Sequence, residues 1–191
     1  MNYIYVHGFN SAGKVGSKYK LFSDAFGKDS VHTIDLSYIP DVAIQQLTEL
    51  ISQYPDAVLI GSSLGGFYAK YLSKKFSMSC VLLNPAIDPI ATCKKFIGNN
   101  VNIHTGKEYI LACEHVDMLS KYYVAPETSP MVPTLVFLDK DDKLFDSTLT
   151  QAYFEGCAKV KMFDGGSHRF EHTADILDDI ASLEFLMFNE G

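Results

Sequence analysis

A short apolar strand that runs into two glycines around a serine is the feature that most constrains this chain. The run is Val58-Leu59-Ile60-Gly61-Ser62-Ser63-Leu64-Gly65-Gly66-Phe67-Tyr68-Ala69, and helical apolar spacing follows it. Strand and helix approach closely at such a turn, so the residues two before and two after the central serine must be nearly without side chains. Gly61 and Gly65 meet this requirement. Ser63 is therefore the candidate nucleophile, and Ser62 is only its neighbour.

Strand-like and helix-like segments alternate along the rest of the chain. This alternation predicts right-handed crossovers and a mostly parallel sheet with helices on both faces. Combined with the serine turn, it predicts a compact three-layer α/β-hydrolase fold, built as a single domain over residues 1–191. The sheet should contain about six strands, at residues 3–7, 31–36, 57–60, 80–83, 134–138 and 159–163.

The segment 84–131 interrupts this alternation, because it is far longer than an ordinary connection. We predict that it folds as helices over the top of the sheet, as a small cap insertion. Tyr109, Tyr122 and Tyr123 offer apolar ring faces with a hydroxyl at one end, which suits an amphipathic acyl substrate. The segment should therefore set substrate choice without supplying catalytic groups.

A serine nucleophile needs a general base, and in this fold the base follows the acid along the chain. His168 lies in Gly165-Gly166-Ser167-His168, just after the last predicted strand. The two glycines permit the sharp loop that would bring the imidazole to Ser63. His172 is a rival, but it falls near the start of the final helix. We therefore predict that His168 is the base.

The acid that orients the base should lie in the loop after strand 134–138. Asp142 is favoured, because an apolar residue two positions later would anchor the turn. Asp141 is the second candidate, and Asp88 is a third because some hydrolases take the acid one strand earlier. The remaining aspartates of the loop should solvate it or cap the helix that starts near Ser147; they are Asp139 and Asp146.

Two backbone N–H groups are expected to stabilise the oxyanion that forms during acyl transfer. One is the N–H of Leu64, directly after the candidate nucleophile. The other is the N–H of Phe9, in the loop that opens with His7-Gly8 after the first strand. The first and third strands should be neighbours whose following helices pack on opposite faces, which places this loop beside Ser63.

Several other classes of protein are disfavoured by composition and spacing. A net charge of −7 argues against nucleic-acid binding, and no stretch has the roughly 20 apolar residues of a membrane span. Residues 8–15 resemble a phosphate-binding loop, but Val15 stands where that loop needs a hydroxyl. We expect no metal and no cofactor. Four scattered cysteines and the lack of a signal-like start indicate a cytoplasmic protein.

These motifs together resemble the YqiA-like esterase family, small bacterial α/β-hydrolases of about this length. The resemblance rests on Tyr5-Val6-His7-Gly8-Phe9-Asn10-Ser11, the run around Ser63, Leu83-Asn84-Pro85-Ala86, Thr105-Gly106-Lys107-Glu108-Tyr109 and Gly165-Gly166-Ser167-His168-Arg169-Phe170. In the family the acid loop reads roughly Gly-Asp-Glu-Val-Leu-Asp. Here it reads Asp141-Asp142-Lys143-Leu144-Phe145-Asp146, which supports Asp142 and leaves Asp141 as an alternative.

The resemblance implies a carboxylesterase that acts on acyl esters, with possible thioesterase activity. The residues predict a serine esterase in which Ser63 attacks the ester, His168 acts as base and Asp142 orients His168. An acyl-CoA thioesterase would use the same residues, and a catalytically silent binding protein of the same fold is the alternative from another class. The expected partner is a small acyl ester or thioester, and the protein should be a monomer or a small homo-oligomer.

Overall fold

A parallel sheet forms the centre of the computed structural model, which describes the backbone of residues 1–188 and the side chains of residues 1–183. Residues 189–191 of the predicted domain lie outside this part. Within it, six strands pair in the order β2-β1-β3-β4-β7-β8, and every neighbouring pair is parallel. The strands are β1 (Tyr3–Val6), β2 (Val31–His32), β3 (Val58–Ser62), β4 (Cys80–Leu83), β5 (Gly98–Val101), β6 (Glu108–Leu111), β7 (Thr134–Asp139) and β8 (Lys159–Phe163).

Helices cover both faces of this sheet, as the alternation of segments predicts. Leu47 and Phe67 lie on helices that pack in one apolar core, whereas Phe22 and Ile180 lie on helices that pack in the other. None of the described helices is both long and apolar enough to pass through a bilayer. The helices are α1 (Ser17–Phe26), α2 (Pro40–Gln53), α3 (Leu64–Phe76), α4 (Ile90–Cys93), α5 (Cys113–Asp117), α6 (Ser147–Tyr153) and α7 (Leu177–Phe188).

The strand β1 lies beside β3, and the helices that follow them lie on opposite faces of the sheet. The chain moves outward from β1 to β2 and in the other direction from β3 to β4. The carboxyl ends of β1 and β3 therefore form the switch point where ligands bind in open α/β sheets. This confirms the predicted neighbourhood of the loop after β1 and the turn that holds Ser63.

The strand β2 is shorter than the predicted strand 31–36. Only Val31 and His32 pair with β1, because the next residues use their polar groups elsewhere. Asp35 accepts a hydrogen bond from the N–H of Gly13 (2.7 Å), and Leu36 donates its N–H to a ring nitrogen of His7 (3.0 Å). The residues after β2 thus leave the sheet, and residues 35–38 line a cavity beside the loop after β1.

The segment 84–131 is not purely helical, and that part of the prediction was wrong. It contains the short helices α4 and α5 and the antiparallel hairpin β5–β6, which forms a separate two-stranded sheet. Asn102 closes the hairpin turn, because its side-chain oxygen accepts the N–H groups of His104 and Thr105, each at 3.0 Å. The prediction missed the hairpin because its apolar runs are too short to separate a strand from a helix.

The turn between β3 and α3 allows no side chain at its glycines. A Cβ on Gly61 would lie 2.7 Å from the Cβ of Ala69, and a Cβ on Gly65 would overlap the carbonyl oxygens of Val6 and His7. The start of α3 is therefore in direct backbone contact with the end of β1. This contact sets the distance between the turn and the loop that follows β1.

We predict that Gly65→Ala lowers the free energy of unfolding by more than about 3 kcal/mol, because the new methyl overlaps backbone that cannot rotate away. Gly16→Ala is the matched control, since its Cβ would meet only the oxygen of Ala12 at 3.8 Å. The control should change stability by less than about 1 kcal/mol. Urea unfolding of both variants measures the difference, and equal midpoints would contradict the close contact.

Candidate active site

Ser63 occupies a strained backbone conformation at the end of β3. Its φ of 56° and ψ of −123° are rarely adopted by a residue with a side chain and cost of order 1–3 kcal/mol. Hydrogen bonds hold this conformation. The N–H of Ser63 donates to the carbonyl of Leu83 (3.1 Å), and the carbonyl of Ser63 accepts the N–H groups of Gly66 (2.9 Å) and Ala86 (3.1 Å). Ser62, by contrast, is buried within β3 and only 7% exposed.

The structure brings Ser63, His168 and Asp142 into one hydrogen-bonded chain. The Ser63 hydroxyl lies 2.8 Å from Nε2 of His168, and Nδ1 of His168 lies 2.9 Å from a carboxylate oxygen of Asp142. Gly165 and Gly166 both have positive φ, at 76° and 74°, so the loop turns sharply before His168 as predicted. With Nδ1–H donated to the carboxylate, Nε2 is free to accept the serine proton.

The Asp142 side chain is 2% exposed and is held by its own loop. Its other oxygen accepts the N–H groups of Leu144 (2.7 Å) and Phe145 (3.1 Å). Burial alone would raise the pKa of this carboxyl, but the hydrogen bonds from His168, Phe145 and Leu144 outweigh burial and hold the pKa below its usual value. Asp142 is thus a carboxylate that can orient an imidazole and stabilise its positive charge.

The other acid candidates lie apart from His168. Asp141 is 62% exposed and faces Lys143 at 3.9 Å. Asp88 accepts the N–H of Ile90 at the start of α4 (3.1 Å). Asp146 caps α6, as predicted, by accepting the N–H groups of the second and third residues of that helix. Of the weighed aspartates, Asp142 alone contacts His168 among the described residues.

The loop after β1 lies directly against Ser63. An ideal Cβ on Gly8 would lie 3.2 Å from the Cβ of Ser63. Within the described residues, neither the N–H of Phe9 nor the N–H of Leu64 donates a hydrogen bond to the protein, so both can serve a bound oxygen. The structure thus places both predicted donor residues beside the Ser63 turn.

His7 anchors this loop, a role that the sequence analysis did not predict. Its Nδ1–H donates to the carbonyl of Gly8 (2.9 Å), and its Nε2 accepts the N–H of Leu36 (3.0 Å). Burial lowers the pKa of His7, against weaker opposing contacts, and this favours the neutral ring that the two hydrogen bonds require. The only signal in the sequence was a histidine at the end of a strand.

Asp139 does not solvate its loop, contrary to the sequence prediction. It is completely buried at the end of β7 and accepts the N–H groups of Ser167 (3.1 Å) and Glu171 (2.8 Å) and a ring N–H of His172 (2.7 Å). These three donors lie on both sides of His168 in the chain. Asp139 therefore clamps the loop that carries His168, and His172 belongs to this clamp.

Asn84, at the end of β4, completes the same network. Its side-chain oxygen accepts the N–H of Asp139 (2.8 Å), and its amide donates to the carbonyl of Ser167 (2.8 Å). Asn84 belongs to the motif Leu83-Asn84-Pro85-Ala86, but its neighbours in the sequence do not indicate a hydrogen-bond partner for it. The clamp needs all three segments to meet at the carboxyl edge of the sheet, so short-range patterns do not predict it.

A cavity of about 470 Å³ opens beside Phe9 and Leu64. This volume is in the range of small-molecule sites. Tyr109 of the 84–131 segment lines it, as do side chains of the loop after β2 and of α3, among them Tyr38 and Tyr68. Asn102, Thr105 and Lys107 add polar side chains to its lining.

The other two tyrosines of the 84–131 segment lie away from this cavity. The hydroxyl of Tyr122 donates to Asp41 (2.7 Å), and Tyr123 lines a separate pocket of about 220 Å³ beside α4. Of the three tyrosines expected to shape substrate choice, Tyr109 is the one that lines the cavity beside Phe9 and Leu64.

Within the described residues, no three His, Cys, Asp or Glu side chains come together as metal ligands. In the stretch 8–15, the N–H of Gly13 is already bonded to the carboxylate of Asp35 (2.7 Å), which is the wrong charge to have beside a phosphate. The phosphate-loop resemblance is therefore not supported by the local geometry.

Solved structures of low sequence identity share this architecture. Alpha/beta hydrolase domain-containing protein 10 from mouse superposes with a TM-score of 0.70 at 14% identity, covering 100% of this chain and 90% of that one. Est1E from Butyrivibrio proteoclasticus, with ferulic acid bound, superposes with a TM-score of 0.68 at 15% identity, covering 97% and 87%. The protein has the α/β-hydrolase fold.

Sequence comparison identifies the family. A relative from Vibrio atlanticus (strain LGP32), described as a UPF0227 protein, is 26% identical over 190 residues, which cover 95% of this chain and 98% of the relative. The profile of the uncharacterised protein family UPF0227 matches residues 2–185. This confirms the resemblance seen in the sequence motifs, and the chain belongs to the UPF0227, or YqiA, family.

Proposed function

We propose that the protein is a serine hydrolase that cleaves carboxylic esters of small molecules. The observation that carries the proposal is the chain from the Ser63 hydroxyl through His168 to Asp142, with distances of 2.8 and 2.9 Å. This is the arrangement that makes a serine nucleophilic at neutral pH, because the imidazole accepts the hydroxyl proton as the carbonyl is attacked.

The reaction follows two acyl-transfer steps. The Ser63 oxygen attacks the ester carbonyl while His168 takes the serine proton, and Asp142 stabilises the imidazolium. The N–H groups of Phe9 and Leu64 bind the negative oxygen of the tetrahedral intermediate. His168 then protonates the leaving alcohol, and the acyl group stays on Ser63. Water attacks this acyl-enzyme with His168 as base, which releases the carboxylic acid and restores the serine.

The cavity beside Phe9 and Leu64 is proposed to hold the acyl or alcohol portion of the substrate. Its tyrosine rings favour an apolar or aromatic group, and its polar lining residues favour a substrate with a hydrogen-bonding end. We propose that residues 1–191 act as one domain, in which the part of the segment 84–131 that lines this cavity, the hairpin β5–β6, selects the substrate. A thioester would react at the same atoms, so matched esters and thioesters of graded acyl length define the preference.

We predict that a fluorophosphonate probe modifies Ser63 and not Ser62, because the turn presents only the former beside His168. Mass spectrometry of the labelled peptide identifies the site. Ser63→Ala should lower kcat for p-nitrophenyl esters by a factor of about 10⁴–10⁶. Ser62→Ala is the matched control and should be labelled like the unmodified protein. Label on Ser62, or none on folded protein, would exclude Ser63 as nucleophile.

We predict that Asp142→Asn lowers kcat by about 10³–10⁴, because the amide no longer holds His168 with its proton on Nδ1. Asp141→Asn removes the same charge one residue earlier, on an exposed side chain, and should lower kcat by less than about tenfold. Steady-state kinetics of the two variants side by side make the comparison. A larger effect at Asp141 would assign the acid to that residue.

A further inference from the structure

The hairpin β5–β6 is hydrogen-bonded to the loop after β1, which we call the oxyanion loop (residues 8–11). The hydroxyl of Tyr109 donates to the side-chain oxygen of Asn10 (2.7 Å). The side-chain amide of Asn102 donates to the carbonyl of Ser11 (2.8 Å). The two contacts hold Asn10 and Ser11, the residues that follow Phe9, although the hairpin and this loop are more than 90 residues apart in the chain.

Both donors are themselves held in place. The ring of Tyr109 stacks on Tyr38 at a centroid distance of 4.4 Å, and burial raises the pKa of Tyr109 to about 12, so its hydroxyl stays protonated and can donate. The side-chain oxygen of Asn102 is occupied by the N–H groups of His104 and Thr105, which turns its amide nitrogen toward the oxyanion loop. The hairpin thus presents two fixed donors to the loop.

The oxyanion loop needs such support at this end. Asn10 adopts a left-handed conformation (φ 55°), which is less favourable for a residue with a side chain than for glycine. His7 fixes the other end of the loop through the carbonyl of Gly8 (2.9 Å). The N–H of Phe9 lies between these two anchors, so its direction relative to Ser63 depends on both.

We propose that Tyr109 and Asn102 are positioning residues for the oxyanion hole, and that the hairpin couples substrate recognition to its geometry. The inference rests on the proposed ester hydrolysis at Ser63. The same hairpin lines the cavity through Asn102, Thr105, Lys107 and Tyr109. A substrate that contacts the hairpin therefore acts on the element that holds Phe9. Discrimination among substrates by the hairpin should appear in kcat and not only in KM.

The test is Tyr109→Phe, which removes the hydroxyl and keeps the stacked ring. Complete loss of an oxyanion donor lowers kcat by a factor of about 10²–10³, and a misdirected donor should cause only part of that decrease. We therefore expect kcat for p-nitrophenyl acetate to fall about tenfold. KM should change less than about twofold, since the removed contact binds the transition state more than the substrate. The rate of fluorophosphonate labelling should fall with kcat, because its phosphoryl oxygen takes the place of the oxyanion.

Tyr122→Phe is the matched control, because it also removes a tyrosine hydroxyl bonded to a side chain of another segment but does not contact the oxyanion loop. It should leave kcat and the labelling rate unchanged. Asn10→Gly keeps the left-handed backbone and removes the acceptor. In that background, Tyr109→Phe should have little additional effect on kcat, because the two residues act through one bond.

Thermal unfolding of both tyrosine variants separates positioning from stability. Each variant loses one hydrogen bond, so any loss of stability should be similar in both, whereas the loss of kcat should appear only in Tyr109→Phe. An unchanged kcat in Tyr109→Phe, an equal loss in Tyr122→Phe, or additive losses with Asn10→Gly would each overturn the proposal. If the unmodified protein labels at Ser63 but cleaves no ester, the ester-hydrolase proposal fails. The labelling rates of the two tyrosine variants still test the positioning role in that case.

Discussion

The backbone contact between Gly65 and the end of β1 is the constraint on which the rest of the site depends. The first turn of α3 packs against the carbonyls of Val6 and His7 so closely that no Cβ fits. This contact carries the loop after β1 to the side of Ser63, and the strained φ of Ser63 aims its hydroxyl over the edge of the sheet. Without that approach, the Ser63 turn and the Phe9 loop would be unrelated features of two neighbouring strands.

Polar side chains then hold the loops that the sheet alone would leave free. His7 pins the loop after β1, and Asp139 pins the loop that carries His168. Each of these side chains is buried and has its hydrogen bonds satisfied. Under this condition a buried polar network makes the structure more rigid and carries no energetic penalty for unpaired polar groups. Rigid loops matter for the proposed chemistry, because small displacements of reacting groups lower the rate strongly.

The parts of the site that the sequence predicted are those encoded by neighbours in the chain. Ser63 and His168 are marked by nearby glycines, and Asp142 is marked by the apolar residue two positions later, Leu144, whose N–H group it accepts. The six strands of the parallel sheet were likewise predicted from local apolar runs. Local steric and hydrogen-bonding requirements therefore produce patterns that can be recognised in the amino-acid sequence.

The parts that were missed depend on partners distant in the chain. Asp139 bonds to residues 28 to 33 positions away, and Tyr109 bonds to a residue 99 positions away. An aspartate after a strand or a tyrosine in a long connection has many possible environments, and only the assembled fold selects one. The shortened β2 has the same origin, because Leu36 leaves the sheet to bond with His7.

Two histidine–aspartate pairs lie in the same loop region, and their surroundings give them different capabilities. His168 and Asp142 are paired at 2.9 Å, and His172 and Asp139 at 2.7 Å, so the pairing itself does not distinguish them. Each carboxylate also accepts two backbone N–H groups, but those of Asp139 come from the distant loop around His168, whereas those of Asp142 come from its own loop. The ring of His172 stacks on Phe163 at 4.6 Å. His168 instead presents its second nitrogen to the hydroxyl of Ser63.

A histidine–aspartate pair can therefore serve as a structural clamp or as a base, according to the groups that surround the histidine and the carboxylate. A carboxylate that accepts N–H groups of a distant loop holds that loop in place, whereas a histidine whose second nitrogen faces the hydroxyl of Ser63 can support proton transfer. In this chain the clamp of Asp139 and His172 keeps the loop of His168 in position. The rigidity of one pair is thus what allows the other to be aimed at Ser63.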